Sequence, residues 1–562
     1  MENKVLSPDS VYMQYKKGVE FNNGIELYAN VRNNENFFIG KQWEGVKSNG
    51  LPTPQFNMLK RIVLFSVANV STDNLKLHAS GMPSTSTMDR MKAEVICKIV
   101  NDQFAQLFEM NNMGSKLREF ARDAAVDGDG FLYTYWDDNV ETGQPSKGFP
   151  KTEVLDNTQV MFGNPNSRDL QSQPYILVNR RMTVDQAKER AEQYGQSEAA
   201  VEDIVADTKE TDESGDLDEL GGDKVTVVLK LWKDKKTGQI HGYECTQKVV
   251  VREEWSLNLE LYPLCFMSWD FVKDCYHGMA MITGLIPNQI FVNKLFAMAM
   301  LSMMTTAFPK IIYDGTRIKV WDNRVGRAIK MNGGDVSTVA KIMDPASISP
   351  QISQFIDLAV SYTQKFLGAS DVALGDTRPD NTSAIVALQR ASAVPSELSR
   401  QNLLQAIEDC GRIYLDFMKH YYGTRFVEVD NPVDDTQKEL ILFDFGMLND
   451  IPLSIKLDAG ASAYWSEIAT MQTLDNLLMN NKIDTIQYLE RLPAGQITDR
   501  ETLIAVLKAA QQQVPPGTGA GTGTAPQNAE VAETGVAPPI LGGRGNGTLQ
   551  RAINKTGTVP KM

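Results

Sequence analysis

The chain has 562 residues, of which 42% are hydrophobic and 22% are charged, and its formal net charge is −14. These values are typical of folded, water-soluble domains, and they exclude a small disulfide-stapled scaffold, a wholly disordered chain and a multi-span membrane protein. The five cysteines show no C-x-x-C spacing, and the amino-terminal residues lack the pattern of a signal peptide. We therefore expect reduced thiols and no export.

Most of the negative charge lies in one segment. Between Glu198 and Asp223 eleven acids accompany a single base, Lys209, so this segment carries −10 of the net −14. A protein that binds duplex DNA tightly depends on clustered Lys and Arg that neutralise phosphates. The distribution disfavours such a binder, but it is compatible with a protein that surrounds DNA without gripping it.

The first part of the chain predicts an α+β body. Helical periodicity marks residues 53–70, 89–108 and 115–130, and an apolar strand pattern follows at 131–136. Gly128 and Gly130 are expected in the turn between the last of these helices and the strand.

A capping box predicts the next helix, which begins at Thr183 with Gln186 three residues later and ends at Gly195. From Gln196 to Asp223 the apolar content is too low to offset the entropy of ordering, so the sequence predicts a flexible acidic excursion. Two strands, at 224–234 and 248–255, are expected after it.

The segment from Met279 to Phe308 carries one charge, Lys294, and is apolar on every side. A helix of this kind is buried all round, and its polar interruptions and its uninterrupted apolar run of 14 residues, from Leu295 to Phe308, argue against a membrane span. Two ways to bury it stay open: the interior of a large core, or neighbouring copies in a ring. Its methionines offer adaptable contacts or plain core filling.

A β-rich segment follows from Lys310 to Asp344, with turns at Asp314-Gly315 and Gly333-Gly334 and seven bases against four acids. Beyond it the sequence predicts a helix that ends at Gly368, a turn-rich stretch, and a long helix from Ala384 to Tyr422 with a kink at Pro395. One face of the long helix is expected to be buried, because apolar residues recur at steps of four and three. These residues are Leu403, Ile407, Cys410, Tyr414, Phe417 and Tyr421.

The rest of the chain predicts two short strands, three short helices between Ser466 and Gln513, the last capped by Thr498 and Glu501, and a disordered Gly/Pro-rich tail from Val514 to Met562. The last 19 residues, from Arg544, hold four bases and no acid, so we expect them to suit an acidic surface.

Signatures of catalysis do not emerge from the sequence. It contains no G-x-x-x-x-G-K-[ST] phosphate loop, and Cys265, Cys275 and His277 lack zinc spacing. The Asp127-Gly-Asp129-Gly run resembles the opening of a calcium loop but departs from it at Phe131 and Asp138, so a helix-ending turn is favoured. We predict no catalytic residue, no cofactor and no metal.

Three passages resemble the portal proteins of tailed bacteriophages, in particular those of long-tailed phages. They are REFARDAAVDGDGFLYTYWD, LIPNQIFVNKLFAMAM and GDTRPDNTSAIVALQRASAVPSELSRQNL. The order of elements is similar as well, over about residues 20–513. The acidic excursion and the tail have no counterpart in this resemblance, and their roles stay open.

The resemblance implies an α+β portal fold whose regions follow one another along the chain. They are the wing at 1–278, a first stem helix at 279–308, a clip at 309–349, a second stem helix at 350–368, a tunnel loop at 369–383, a long kinked helix with wing-closing strands at 384–465, a crown at 466–513 and the tail at 514–562. Such chains form a ring of twelve subunits around a DNA channel at one capsid vertex.

Three groups of site residues follow from this placement. For the tunnel loop in the channel they are Asp371, Asp376, Arg378, Asp380 and Asn381; for docking at the clip, Arg317, Lys319, Arg324, Arg327 and Lys330; for contacts between stems, Phe291, Leu295, Met298, Met300 and Met303. A solvated surface is the alternative for the first two groups, and a monomeric core for the third.

The implied partners are further copies of the chain, the large terminase subunit, a head-to-tail adaptor, the major capsid or scaffolding protein, and double-stranded DNA that passes without specific contacts. No membrane is involved. The chain would act in the virion, and in the host cytoplasm during assembly. Two alternatives stay open: another virion structural protein, such as a minor head or baseplate component, and, less favoured, a DNA-processing enzyme.

Overall fold

The structure is a computed structural model that describes residues 6–48, 50–71, 75–82, 87–207, 223–307, 311–322, 328–342, 351–366, 394–430, 438–459, 464–480, 482–492, 503–504 and 506–507. The chain divides into two compact units, residues 1–472 and 473–562. Helices and strands are mixed, so the α+β class is confirmed.

Five helices and one strand form the beginning of the first unit: α1 Pro8–Gly24, α2 Leu27–Ile39, α3 Met58–Val70, β1 Leu75–Gly81, α4 Thr87–Met110 and α5 Met113–Asp127. The Ser7 hydroxyl accepts the Ser10 N–H at 3.3 Å and Pro8 follows, which gives α1 a defined start. The three helices predicted between residues 53 and 130 are confirmed as α3, α4 and α5.

Two antiparallel sheets follow. In the first, β2 Asp129–Asp137 lies between β3 Phe149–Leu155 and β9 Leu264–Ser268. The second has the order β4 Val160–Phe162, β5 Ile176–Thr183, β6 Lys224–Lys233, β7 Ile240–Cys245 and β8 Val250–Ser256. The strands predicted at 131–136, 224–234 and 248–255 are confirmed as β2, β6 and β8.

The predicted capping box is confirmed in α6 Val184–Gln193, where the side chains of Thr183 and Gln186 each accept a backbone N–H from the other residue. The expected flexible excursion is wrong over residues 196–207. A short helix, α7 Glu198–Glu202, packs there because Val201 and Ile204 are buried in a small apolar cluster with β6 and β8. Residues 208–222 lie outside the described residues.

The middle of the chain forms α8 Ile286–Ala307, β10 Ile311–Tyr313, α9 Val336–Val339, β11 Ala340–Ile342 and α10 Gln351–Phe366. The helix expected from Met279 begins instead at Ile286. The preceding residues are turns whose Ala280, Ile282 and Leu285 are buried in the main core, and Pro287 is accommodated in the first turn of the helix, where its missing N–H costs nothing.

A single helical turn at Val394–Ser396 precedes α11 Glu397–Tyr421; residues 384–393 of the predicted long helix lie outside the described residues. Its predicted buried face is confirmed from Leu403 to Phe417, and Tyr421 is half-buried. The chain returns through β12 Thr424–Asp430, β13 Lys438–Asp444 and β14 Leu453–Ala459. The last strand pairs with β1 along its whole length, so the ladder joins an early strand of the first unit to its final one.

Helix α12 Tyr464–Met479 leads into the second unit, which continues with α13 Thr485–Arg491. Within that unit the Tyr488 hydroxyl donates to Asp475 Oδ1 at 2.6 Å. Of the third predicted helix, helical residues are described at 503–504 and 506–507, and its expected cap at Thr498 and Glu501 lies outside the described residues.

Candidate functional site

The base of α8 is anchored in the first unit by buried amides. Gln289 Nε2 donates to the Phe56 carbonyl at 2.6 Å and to Asn293 Oδ1 at 2.9 Å, and Asn293 Nδ2 donates to Gln42 Oε1 at 2.6 Å. All three amide side chains are buried, and Val292 is buried beside them. The polar residues that interrupt the apolar sequence therefore fix the root of the helix.

The outer half of α8 is covered much less. Its large apolar side chains are between 38% and 60% exposed, and they are Met298, Met300, Leu301, Met303 and Met304. Phe291, near the base, is exposed to a similar degree. Single exposed hydrophobic side chains are ordinary, but a contiguous apolar surface of this kind marks an interaction site. Of the predicted stem contacts, Phe291, Met298, Met300 and Met303 lie on this surface, whereas Leu295 is buried within the chain.

Helix α10 packs along α8 and exposes an apolar stripe of its own. Phe355, Leu358 and Tyr362 are exposed at steps of three and four residues, which places them along one side of the helix. The α8–α10 pair thus presents two different apolar surfaces. Two unlike surfaces on one chain suit head-to-tail contacts, which form a ring when the rotation between successive copies closes.

In the predicted clip, β10 and β11 pair antiparallel from Ile311↔Ile342 to Tyr313↔Ala340. Both predicted turns are confirmed: the Asp314 carboxylate accepts the Thr316 N–H at 2.9 Å, and Gly333 and Gly334 have φ of 77° and 99°. The hydrogen bonds from Thr316 lower the pKa of Asp314.

Three of the five predicted docking cations in the clip, Arg317, Lys319 and Lys330, are exposed. Arg317 also forms an ion pair with Asp314, with 3.6 Å between Nε and Oδ2. Arg324 and Arg327 lie outside the described residues, as do all five tunnel-loop residues, Asp371 to Asn381.

A buried pair joins β2 to the segment leading into α8, and no local sequence pattern indicates it. His277 Nδ1 lies 2.7 Å from Asp129 Oδ2, His277 Nε2 lies 3.3 Å from Asn22 Oδ1, and the Gly278 N–H donates to Asp129 Oδ1 at 2.7 Å. Asp129 and His277 are 0% and 2% exposed. The favoured helix-ending turn is confirmed at Gly128, whose φ is 104°.

A second charged group surrounds the end of α5. Arg122 contacts Glu35 of α2 and Asp123. Burial raises the pKa of Asp127 to about 8, and the nearby Asp123 carboxylate raises it further. Burial also raises the pKa of Asp123 to about 6, although the hydrogen bond from Arg122 acts in the opposite direction. Within the part of the chain that the structure describes, no group of three or more His, Cys, Asp or Glu side chains could hold a metal ion.

No described helix is both long enough and apolar enough to cross a membrane. The chain combines an α+β body with a helix, α8, whose base is buried and whose outer half, together with α10, exposes apolar side chains. The fold and the site thus define a structural subunit with surfaces for neighbouring copies. The model of the family "Phage P22-like portal protein" matches residues 20–437, and the chain belongs to this family. No curated protein matches the chain.

Family membership confirms the resemblance to phage portals and assigns the chain to the virion, as a part of the head-to-tail connector. The family is a structural one, which favours the portal over the DNA-processing enzyme, and it implies an oligomeric ring with capsid and packaging partners. The tail type stays a prediction.

Proposed function

We propose that the chain forms a ring of twelve copies at one capsid vertex, and that double-stranded DNA passes through the ring during packaging and ejection without specific contacts. The observation that supports this most is the exposed apolar surface of α8 and α10 on a root that is firmly held. Burying this surface against neighbouring copies stabilises a ring, at roughly 25 cal/mol for each Å² of apolar area.

Negative-stain imaging of the purified chain tests the ring. We expect discrete closed rings many times heavier than the 62.4 kDa chain. A chain that stays monomeric at micromolar concentration, or that forms open filaments, would contradict the proposal.

The clip is proposed as the docking platform for the large terminase subunit during packaging and for the head-to-tail adaptor afterwards. Lys319 and Lys330 are exposed there and have no ion pair with another described residue. Exposed cations of this kind steer association with acidic partner surfaces.

Reversing both clip charges, Lys319→Glu with Lys330→Glu, should leave rings intact and weaken docking of terminase or adaptor about tenfold or more, as read by pull-down at 0.1 M salt. Lys235→Glu with Lys236→Glu, an equal charge change at exposed wing positions, is the matched control. Equal docking by the two double variants would remove the clip from the proposal.

The tunnel loop, residues 369–383, is proposed to line the channel. Asp371, Asp376 and Asp380 against Arg378 give it a net charge of −2, which repels phosphate weakly and keeps a duplex mobile. Deleting residues 373–380 should leave the rings intact and reduce the DNA content of particles. Particles with wild-type DNA content would place the loop outside the channel.

The remaining partner, the major capsid or scaffolding protein, is proposed to seat the ring in the shell while it assembles in the host cytoplasm. Most residues of the main apolar core lie in the wing, which offers a packed surface for that contact.

A further inference from the structure

Two of the buried cysteines lie against each other in the main core of the first unit. Cys265 belongs to β9 and Cys410 to α11, and they are 3% and 0% exposed. The two thiols form a hydrogen bond with each other. Because the two residues are far apart in the chain, no local sequence pattern indicates this pair, and the fold alone brings them together.

Hydrogen bonds at two points fix how α11 runs along β9. At one point Asn402 Nδ2 donates to the Ser268 carbonyl at 3.1 Å. At the other, Asp416 Oδ2 accepts the N–H of Leu261, just before β9, at 3.0 Å. The helix therefore runs antiparallel to this part of the chain, and its register is held on both sides of Cys410.

This register accounts for the contact between Cys410 and Cys265. Position 410 lies eight helical residues beyond Asn402, which is about 12 Å at roughly 1.5 Å per residue. The same distance along a strand, at roughly 3.3 Å per residue, leads from Ser268 back to position 264 or 265. The thiol pair is thus a consequence of how the helix packs on the strand.

A cavity of about 340 Å³ gives small molecules access to the pair. Cys265 is one of its lining residues, together with Asp169 and Arg412, which are exposed. A water molecule takes up about 30 Å³ in the liquid, so the cavity has room for a molecule as small as hydrogen peroxide. Cys410 has no exposed surface, and Cys265 is therefore the first thiol that such a molecule meets.

The surroundings of Cys265 make its oxidation slow. Burial raises the pKa of the Cys265 thiol, and the hydrogen bond with Cys410 and the nearby Asp409 carboxylate act in the same direction. The thiolate is the reactive form of cysteine, so a raised pKa leaves little of it at neutral pH. We therefore expect the pair to stay reduced in a compartment that is kept reducing, and to react on prolonged exposure to an oxidant.

We infer that Cys265 and Cys410 form a disulfide when the folded chain meets a peroxide in the absence of thiol reductants. The Cys265 sulfur attacks one oxygen of hydrogen peroxide; an S–O bond forms, the O–O bond breaks, and water leaves. The Cys410 sulfur then attacks the sulfenic sulfur; an S–S bond forms and a second water leaves with the Cys410 proton. The two sulfur atoms lose two electrons in total, and the peroxide gains them.

This disulfide closes a covalent loop around residues 266–409, which include both α8 and α10. A crosslink that closes a long loop stabilises mainly by constraining the unfolded chain. Family membership assigns the chain to the virion, and disulfides persist on virions. The bond therefore fastens the base of the α8–α10 pair to the rest of the first unit. The inference does not depend on the number of copies in a ring, because both cysteines belong to one chain.

Mass spectrometry of the oxidised full-length chain tests the inference. The reduced, folded chain is transferred to buffer without reductant, treated with millimolar hydrogen peroxide, and alkylated before digestion. We expect disulfide-linked peptides of Cys265 and Cys410 in at least tenfold excess over any other cysteine pair. Free thiols at both positions, sulfinic acids there, or another pairing as the main product would overturn the inference.

Two alanine variants supply the matched comparison. Cys410→Ala should abolish the disulfide of Cys265, whereas Cys245→Ala, which removes a buried cysteine from β7, should leave the yield of Cys265–Cys410 peptides unchanged. Equal loss in the two variants would overturn the inference, because the disulfide would then reflect a disturbed core. Ring mass measured on the same samples separates the two proposals, since rings can form in either oxidation state.

Discussion

The base and the outer half of α8 have similar apolar composition but different surroundings. At the base, Val292 and Asn293 are buried, and a chain of amide hydrogen bonds ties the helix to residues 42 and 56. Further out, Met300 and Met303 are exposed although nothing in their chemistry favours water. One helix therefore has two kinds of surroundings: its first half completes the fold of the subunit, and its second half exposes an apolar surface that we propose is covered by a neighbouring copy.

The largest effect on folding is expected at the base. Val292→Asp places an unpaired charge in a buried site, which should lower the free energy of unfolding by at least about 3 kcal/mol. Met303→Asp, the same charge in the exposed half, should change it by about 0.5 kcal/mol or less. Urea unfolding of the two variants, compared as monomers, measures the difference. Equal stability would mean that the two halves are not packed differently.

The stability of the folded chain is expected to depend on pH through Asp127 in the charged group at the end of α5. In the unfolded chain Asp127 has its ordinary pKa of 3.8, and burial raises the pKa to about 8 in the folded chain. Between these values the folded state binds more protons, so the stability that depends on Asp127 is present at low pH and is lost as the pH rises through about 8. Between pH 5 and pH 9 the unmodified chain should lose on the order of 3 kcal/mol in its free energy of unfolding, and Asp127→Asn should not show this loss.

Asp138→Asn is the control for this effect, since Asp138 is exposed. Its unfolding curves at pH 5 and pH 9 should follow those of the unmodified chain. If the unfolding curves of Asp127→Asn also followed those of the unmodified chain, burial would not raise the pKa of the Asp127 carboxyl.

The smallest effect is expected from the amide chain. Asn293→Ala leaves Gln42 Oε1 buried without the donor that it has now, which should cost about 1–3 kcal/mol. Lys294→Ala, one residue further along and exposed, should cost about 0.5 kcal/mol or less. Thermal melting of the two variants gives the result, and an unchanged melting temperature for Asn293→Ala would show that the root of α8 does not depend on this contact.

Much of this organisation can be predicted from the sequence, because helix periodicity, the capping box at Thr183 and the turn at Gly128 are local signals. The sequence predicts that the helix includes the apolar segment before α8, because composition does not separate a buried turn from a buried helix. Residues 196–207 were expected to be flexible because two buried residues, Val201 and Ile204, are too few to stand out among many acids.

The contacts that the sequence could not indicate are long-range ones. The Asp129–His277 pair joins residues 148 positions apart, and β1 pairs with β14 across more than 370 residues. Neither has a local pattern. Of the candidate site, the predicted stem helix is the part that the sequence reveals, since an apolar segment with a single charge, Lys294, stands out from its surroundings. That Leu295 is buried within the chain can be learned only from the structure.

We propose that neighbouring copies cover the outer half of α8. The native mass of Met300→Asp, measured beside that of Met13→Asp, tests this proposal, because Met13 is a methionine on α1 that is even more exposed than Met300. Burial of an unpaired carboxylate between helices costs several kcal/mol per contact, so Met300→Asp should be a folded monomer while Met13→Asp should form the same rings as the unmodified chain. Normal rings from Met300→Asp would contradict the account.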